Sequence, residues 1–250
     1  MKKTVALMMA AIMLMAFSGC TGGADKPNAQ DLISTLPAEG GKPVVTDTPA
    51  PTEAPVATAE PTAEAETSIT RGTWTDGVYY NATAGFNFTP PENWLLADDE
   101  YIAQLVGVSK EMLGTEGEDL SDHEVVYDTF VQNPDNGTNV FIIYQKVSML
   151  GALGMGIGDI MDEIVKQMGE NTAMNCTYVG TTEQTLGSTD YQCAEFDVDI
   201  SGMTIKQYIL VNKFMNYTTN ITITAMASEP IEEFLPMFTS AQAAMADCCG

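Results

Sequence analysis

From residue 74 to residue 225, apolar and polar residues alternate in short runs separated by turn-forming residues. Alternation with a period of two is the pattern of a β-strand with one buried face. It is clearest late in the chain, where Ile221 and Ile223 alternate with Thr222 and Thr224. The runs predict strands at residues 78–81, 85–89, 126–132, 139–147, 177–185, 190–200, 204–212 and 217–225.

Other segments have the apolar spacing of a helix. The first opens with acidic residues 98–100, which suit the positive end of a helix, and Gly114 is a natural stop. The second covers residues 159–168, and a third opens at residues 228–230 and should break or kink at Pro236. The stripes of the first two are Ile102, Leu105, Val106, Ser109, Met112 and Leu113, and Ile157, Ile160, Met161, Ile164 and Met168.

Tight turns join the predicted strands. Pro90-Pro91 ends the second run, and Asn136-Gly137 lies between the third and fourth, as is typical of a hairpin. Strands joined in this way, with helices between the groups, indicate an α+β fold in which an antiparallel β-sheet of hairpins is flanked by about three helices.

The first twenty residues follow a different pattern. Lys2 and Lys3 precede an almost wholly apolar stretch at residues 4–17, and Ser18-Gly19-Cys20 follows. This is the pattern of a secretory signal peptide, and the stretch is shorter than the roughly 20 residues that span a bilayer. Residues 17–20 resemble the bacterial lipobox, with Phe17 in place of the usual Leu.

The lipobox resemblance implies that residues 1–19 are removed and that Cys20 carries diacylglycerol. It therefore implies a lipoprotein held on the extracytoplasmic face of the cell membrane, because two or more acyl chains give stable anchoring. The alternative is an ordinary secreted protein that begins at Cys20. Residues 20–70 are rich in Pro, Thr, Ala and Glu and predict a disordered linker, followed by one globular α+β domain at residues 71–250.

Two parts of the globular region also resemble the PsbP-like family. Residues 85–94, Gly-Phe-Asn-Phe-Thr-Pro-Pro-Glu-Asn-Trp, look like its opening hairpin and Pro-x-x-Trp turn. Residues 220–225, followed by Glu232-Glu233-Phe234 and Phe238, look like its last strand and helix. The resemblance covers about residues 78–240 and implies a PsbP-like α-β-α sandwich. The resemblance identifies no ligand-binding residue of that family in this chain, and a fold alone does not define a function.

The chain is strongly acidic, with a net charge of −24. Removal of Lys2 and Lys3 would leave eight basic residues against 34 acidic ones, a net charge near −26. Nucleic-acid binding is disfavoured because proteins that bind nucleic acid carry basic patches. Contact with anionic lipid headgroups is disfavoured because it also depends on basic residues. The charge favours solubility, and the binding of a cation or a basic peptide is the alternative.

The cysteines do not predict a disulfide. With a tight turn at Gly187-Ser188, Cys193 faces Thr182 and Cys176 faces Asp199, which places the two cysteines roughly 20 Å apart along the hairpin. The adjacent Cys248 and Cys249 are either a redox-active pair or a frayed terminus.

No motif of the sequence predicts catalysis, a cofactor or a bound metal. The glycines at positions 151–158 fit neither the dinucleotide-binding nor the P-loop pattern, and Asp159 would repel phosphate. His123 is the only histidine, and the acidic residues around it, at 116–128, lack the spacing of a calcium loop.

We therefore expect a membrane-anchored, non-catalytic binding or accessory module, with a possible protein partner at the cell surface. A solute- or cation-binding lipoprotein associated with a transporter is the alternative, and an envelope hydrolase is less favoured.

Overall fold

The computed structural model describes residues 68–81, 84–147, 154–170, 175–200, 202–214 and 216–241. The predicted signal peptide, most of the linker, the lipidation site at Cys20, residues 151–153 of the glycine-rich connector and the pair Cys248-Cys249 lie outside the described residues. No helix within the described residues is long and apolar enough to cross a membrane.

The described strands form two antiparallel sheets. The larger has seven strands in the order β4-β5-β6-β10-β9-β8-β7, and the smaller has the order β1-β2-β3-β11. The strands are β1 (Thr73–Thr75), β2 (Val78–Asn81), β3 (Phe86–Phe88), β4 (Leu95–Leu96), β5 (Val125–Gln132), β6 (Asn139–Lys146), β7 (Asn175–Leu186), β8 (Thr189–Ile200), β9 (Met203–Phe214), β10 (Tyr217–Met226) and β11 (Phe238–Ser240).

The described α-helices are α1 (Asp99–Val106) and α2 (Ile157–Glu170). Asp98 caps α1, since its carboxylate accepts a hydrogen bond from the Tyr101 amide at 2.8 Å. Helix α1 packs on β5, and α2 packs across β7, β8 and β9. Short 3₁₀ segments occupy Lys110–Leu113, Ile231–Glu233 and Leu235–Met237.

The two faces of the larger sheet are buried differently. On one face a continuous apolar cluster joins it to the smaller sheet, with side chains such as Phe86, Phe238, Ile142 and Leu210. On the other face, one cluster lies under α1 and a separate one lies under α2. The molecule is therefore layered as helices, seven-stranded sheet and four-stranded sheet.

The predicted α+β class and the antiparallel sheet are confirmed, and strands dominate the fold. Residues 78–81 and 85–89 pair as expected, with Tyr79 opposite Phe88. The run on either side of Asn136-Gly137 forms the β5–β6 hairpin, in which Gln132 faces Asn139. Buried Met161 and Met168 lie on the predicted stripe of the second helix.

Two helix predictions need correction. The first helix ends at Val106 and not at Gly114, because Gly107 already adopts the left-handed conformation (φ 73°) that ends a helix; the stripe continues in a 3₁₀ segment. The last predicted helix is present only as two 3₁₀ segments with Pro236 in the second, and Phe238 belongs to β11, where it pairs with Phe88.

The β7–β8 register determines which residues face the two cysteines of this hairpin. Cys193 faces Thr182, as predicted, but Cys176 faces Val198 and not Asp199. A β-bulge between Tyr178 and Gly180 shifts the register by one residue. The sequence of a polar strand does not show where a single-residue bulge of this kind lies. Both cysteines are free thiols.

Gly187, in the β7–β8 turn, links the two sheets by close approach. It has a φ of 62°, and a Cβ added there would lie 2.8 Å from the Thr239 carbonyl oxygen of β11 and 3.0 Å from the Phe86 Cβ. We expect Gly187→Ala to lower the free energy of unfolding by about 3 kcal/mol, since left-handed strain adds to overpacking. The measurement is urea unfolding.

The matched control is Gly202→Ala in the β8–β9 turn, where φ is 85° but nothing lies within 4 Å of the added Cβ. That variant should lose only about 1 kcal/mol, from backbone strain alone. Equal losses in the two variants would contradict a close contact between the turn and β11.

Candidate functional site

The most elaborate polar cluster of the described residues lies between the two sheets, at a bulge in β5. The register of β5 against β6 shifts between Tyr127 and Thr129, and this shift places Asp128 among apolar residues on the face toward the smaller sheet. Its side chain is only 2% exposed. A carboxylate at such a position requires hydrogen-bond donors, because burial of an unpaired charge is costly.

Three donors surround the Asp128 carboxylate. The Gly72 amide donates to one carboxylate oxygen at 2.9 Å, and Asn81 Nδ2 donates to the other at 2.8 Å. The Tyr79 hydroxyl donates to the same oxygen as Asn81, and Asn81 Nδ2 also contacts the Tyr144 hydroxyl. Gly72 precedes β1, the smaller sheet supplies Tyr79 and Asn81, and the larger one supplies Asp128 and Tyr144.

Burial governs the ionisation of this cluster. Loss of solvent raises the pKa of Asp128, although hydrogen bonds from Tyr79 and Gly72 and the charge of Arg71 oppose the rise. Burial also raises the pKa of Tyr79 and Tyr144 well above the usual value, so both hydroxyls stay protonated and remain donors at physiological pH.

Arg71 extends the cluster towards the surface. Its Nε and Nη2 donate to the Asp128 carbonyl at 3.3 and 2.9 Å, and its Nη1 donates to the Gly114 carbonyl at 3.3 Å. Its Nη2 also forms an ion pair with Asp99 Oδ1, in the first turn of α1, at 2.7 Å. One guanidinium therefore joins the chain entering β1, the bulge of β5, the loop at Gly114 and helix α1.

A small pocket of about 220 Å³ opens beside Arg71. Trp74 forms part of its wall and is held by a hydrogen bond from Nε1 to Thr129 Oγ1 at 3.1 Å. Asp99 and Glu116 contribute carboxylates, and Leu96, 42% exposed, contributes apolar surface. The pocket thus combines two carboxylates, an aromatic ring and an exposed aliphatic side chain in fixed positions.

The acidic loop around His123 is mostly occupied with its own backbone. Glu118 accepts from the Thr115 amide at 2.8 Å, and Asp119 accepts from the Ser121 hydroxyl at 2.6 Å and the Ser121 amide at 3.0 Å. These hydrogen bonds lower the pKa of both carboxyls. Among the described residues, no three His, Cys, Asp or Glu side chains are placed to hold a metal ion. Of the acidic residues at 116–128, Glu116 and Asp128 line the pocket.

Asp159, predicted to disfavour phosphate, lies at the start of α2. Its Oδ2 accepts from the Gly156 amide at 3.0 Å, so the side chain occupies a donor that a phosphate would otherwise use. Sequence reasoning missed Arg71 and Asp128. Only Asp128 left a signal, as a charged residue in the centre of the apolar run 125–131.

No protein-family model matches this chain, and no curated protein matches it. Among solved structures it is similar to cyanobacterial PsbP (CyanoP) from Synechocystis sp. PCC 6803, with 11% identity, a TM-score of 0.39 and coverage of 70% of this chain and 95% of that one. It is also similar to a protein from Bacteroides thetaiotaomicron, with 13% identity, a TM-score of 0.35 and coverage of 66% of this chain and 48% of that one. We infer nothing about function from likenesses of this size.

The raised pKa of Asp128 predicts that the stability of the fold depends on pH. An aspartate in an unfolded chain has a pKa of about 3.9, so the folded protein binds this proton more tightly. The stability from proton binding is fully present below about pH 4 and is lost as the pH rises through the raised pKa. Asp128→Asn cannot titrate. We therefore expect wild-type stability to fall relative to Asp128→Asn above about pH 4, by about 1.4 kcal/mol for each unit of pKa difference.

Urea unfolding of both proteins between about pH 3.5 and 7 measures this difference. Asp162→Asn, on the exposed face of α2, is the control and should show no such trend. A stability difference between wild type and Asp128→Asn that stays constant with pH would contradict a carboxyl with a raised pKa at the bulge.

Proposed function

We propose that this protein is a membrane-anchored extracytoplasmic lipoprotein whose folded domain is a non-catalytic binding or accessory module. The observation that carries the anchoring is the sequence Phe17-Ser18-Gly19-Cys20 after a basic start and an apolar stretch. The linker that follows would hold the folded domain away from the bilayer.

The pocket beside Arg71 supports a binding role and suggests the kind of partner. Pockets for free small molecules are usually about 300–1,000 Å³, and this one, of about 220 Å³, suits a single side chain. Asp99 is already paired with Arg71, so the carboxylate of Glu116 and the ring of Trp74 are the features that favour a cationic side chain. We therefore propose that the module binds a protein partner at the cell surface by inserting a Lys or Arg of that partner here.

The anchoring is tested by Cys20→Ala. Without the thiol no diacylglycerol can be attached, so we expect the variant to leave the membrane fraction while wild type stays in it. Cell fractionation followed by immunoblotting measures the distribution. Cys193→Ala, a substitution of a buried thiol in the folded domain, is the control and should remain with the membrane. Retention of Cys20→Ala on the membrane would contradict lipidation at this residue.

The partner contact is tested by photo-crosslinking in cells. A photoreactive residue in place of Leu96, which is exposed beside the pocket, should give a discrete crosslinked product. Glu116→Lys should abolish that product, because a positive charge at the pocket repels a cationic side chain. A photoreactive residue in place of Glu170, at the exposed end of α2, is the control. A product at position 96 that survives Glu116→Lys would contradict recognition of a basic side chain.

A further inference from the structure

A second and larger pocket, of about 380 Å³, lies at the other end of the seven-stranded sheet. Ile157, the first residue of α2, covers it, and Gln192 and Lys213 line it from β8 and β9. Its volume falls within the usual range for small-molecule sites. Nothing in the Arg71 cluster or in the acidic loop contributes to it.

One side of this pocket is cationic. Lys213 lies two residues beyond Val211, which faces Gln192, so its side chain emerges on the face of the sheet that α2 covers. Its Nζ donates to the Met155 carbonyl at 3.1 Å, just before α2. That single hydrogen bond fixes the ammonium beside the pocket and leaves two N–H donors.

Two carboxylates also line the pocket. Asp190 of β8 accepts a hydrogen bond from Thr185 at 2.7 Å, and Glu183 of β7 accepts one from Gln192 at 3.0 Å. Both carboxylates line the pocket together with Lys213, yet none of the three belongs to an ion pair of the described residues. A pocket is thus flanked by opposite charges that do not neutralise each other by contact.

Next to Lys213, the sheet carries an uncharged polar row with unused acceptors. Thr218 of β10 faces Lys213 on one side and Gln145 of β6 on the other. Gln145 Oε1 and Asn220 Oδ1 have no hydrogen-bond partner, although their residues are only 3% and 1% exposed. Both atoms are buried, and neither residue lines the pocket.

We propose that this pocket binds a small zwitterion of the α-amino acid class. The ligand carboxylate accepts from Lys213, and its ammonium lies against Asp190 and Glu183. A simple anion is disfavoured by the two carboxylates and the net charge of −24, and a simple cation is disfavoured by Lys213. The proposal rests on the binding role proposed above and adds a solute to it.

Isothermal titration of the detergent-solubilised full-length protein with glycine, leucine and glutamine tests the proposal. We expect saturable binding of at least one of these amino acids. Its N-acetyl and its amide derivative, which lack the ammonium and the carboxylate respectively, should each bind at least tenfold more weakly, because each loses one charge-assisted contact. Absence of saturable heat with all three amino acids would overturn the proposal.

Lys213→Met retains the aliphatic stem and should weaken binding of the amino acid at least tenfold. Lys166→Met, which removes an exposed lysine of α2 that lies 3.5 Å from Glu163, is the matched control and should bind as wild type does. Unchanged affinity in Lys213→Met would overturn the proposal.

These outcomes are independent of Cys20→Ala and Glu116→Lys, so failure of the solute site and failure of anchoring or partner binding are distinguishable.

Discussion

The two sheets meet around a single buried carboxylate. Apolar packing between them is extensive, but it is non-directional and does not by itself fix how the short strands of the smaller sheet sit on the larger one. Asp128 fixes the position of the smaller sheet on the larger one, because its two carboxylate oxygens accept hydrogen bonds from a backbone amide and from side chains of the smaller sheet. The bulge that brings Asp128 inward also presents its carbonyl to Arg71. Removal of the carboxylate would leave several buried donors unpartnered at once, which is why the rest of the arrangement depends on it.

This arrangement explains which parts of the fold the sequence could predict. The period-two runs and the turn dipeptides predicted the long strands and the β5–β6 hairpin because those features depend on local patterns. The β1–β2 turn carries a comparable signal, because Asp76 and Gly77 both have positive φ, 51° and 79°, as an Asp-Gly turn typically does. Strand β11 left no such signal, since three residues pair with β3 only when the remote segments have already come together.

The candidate sites were less predictable for a related reason. Arg71 makes its contacts with residues 28 to 57 positions away in the chain, and no local spacing reports such meetings. The charge of Asp128 within an apolar run marked a position of interest without naming its partners. Similarly, the Thr and Asn residues of β10 predicted a strand with one polar face. Their burial between two separate apolar clusters follows only from the sheet order and the placement of both helices.

The polar row of β10 also has a consequence for how the two pockets relate. The Arg71 pocket is built on β4, β5 and α1, whereas the Lys213 pocket is built on β7, β8, β9 and the start of α2, at the other edge of the same sheet. They share no lining residue, and β10 lies between the strands that form them. Substitutions at such separated sites normally add in free energy, so a solute in one pocket need not compete with a partner side chain in the other. A seven-stranded sheet that is apolar at both helix contacts and polar between them thus separates the two pockets for which we propose binding.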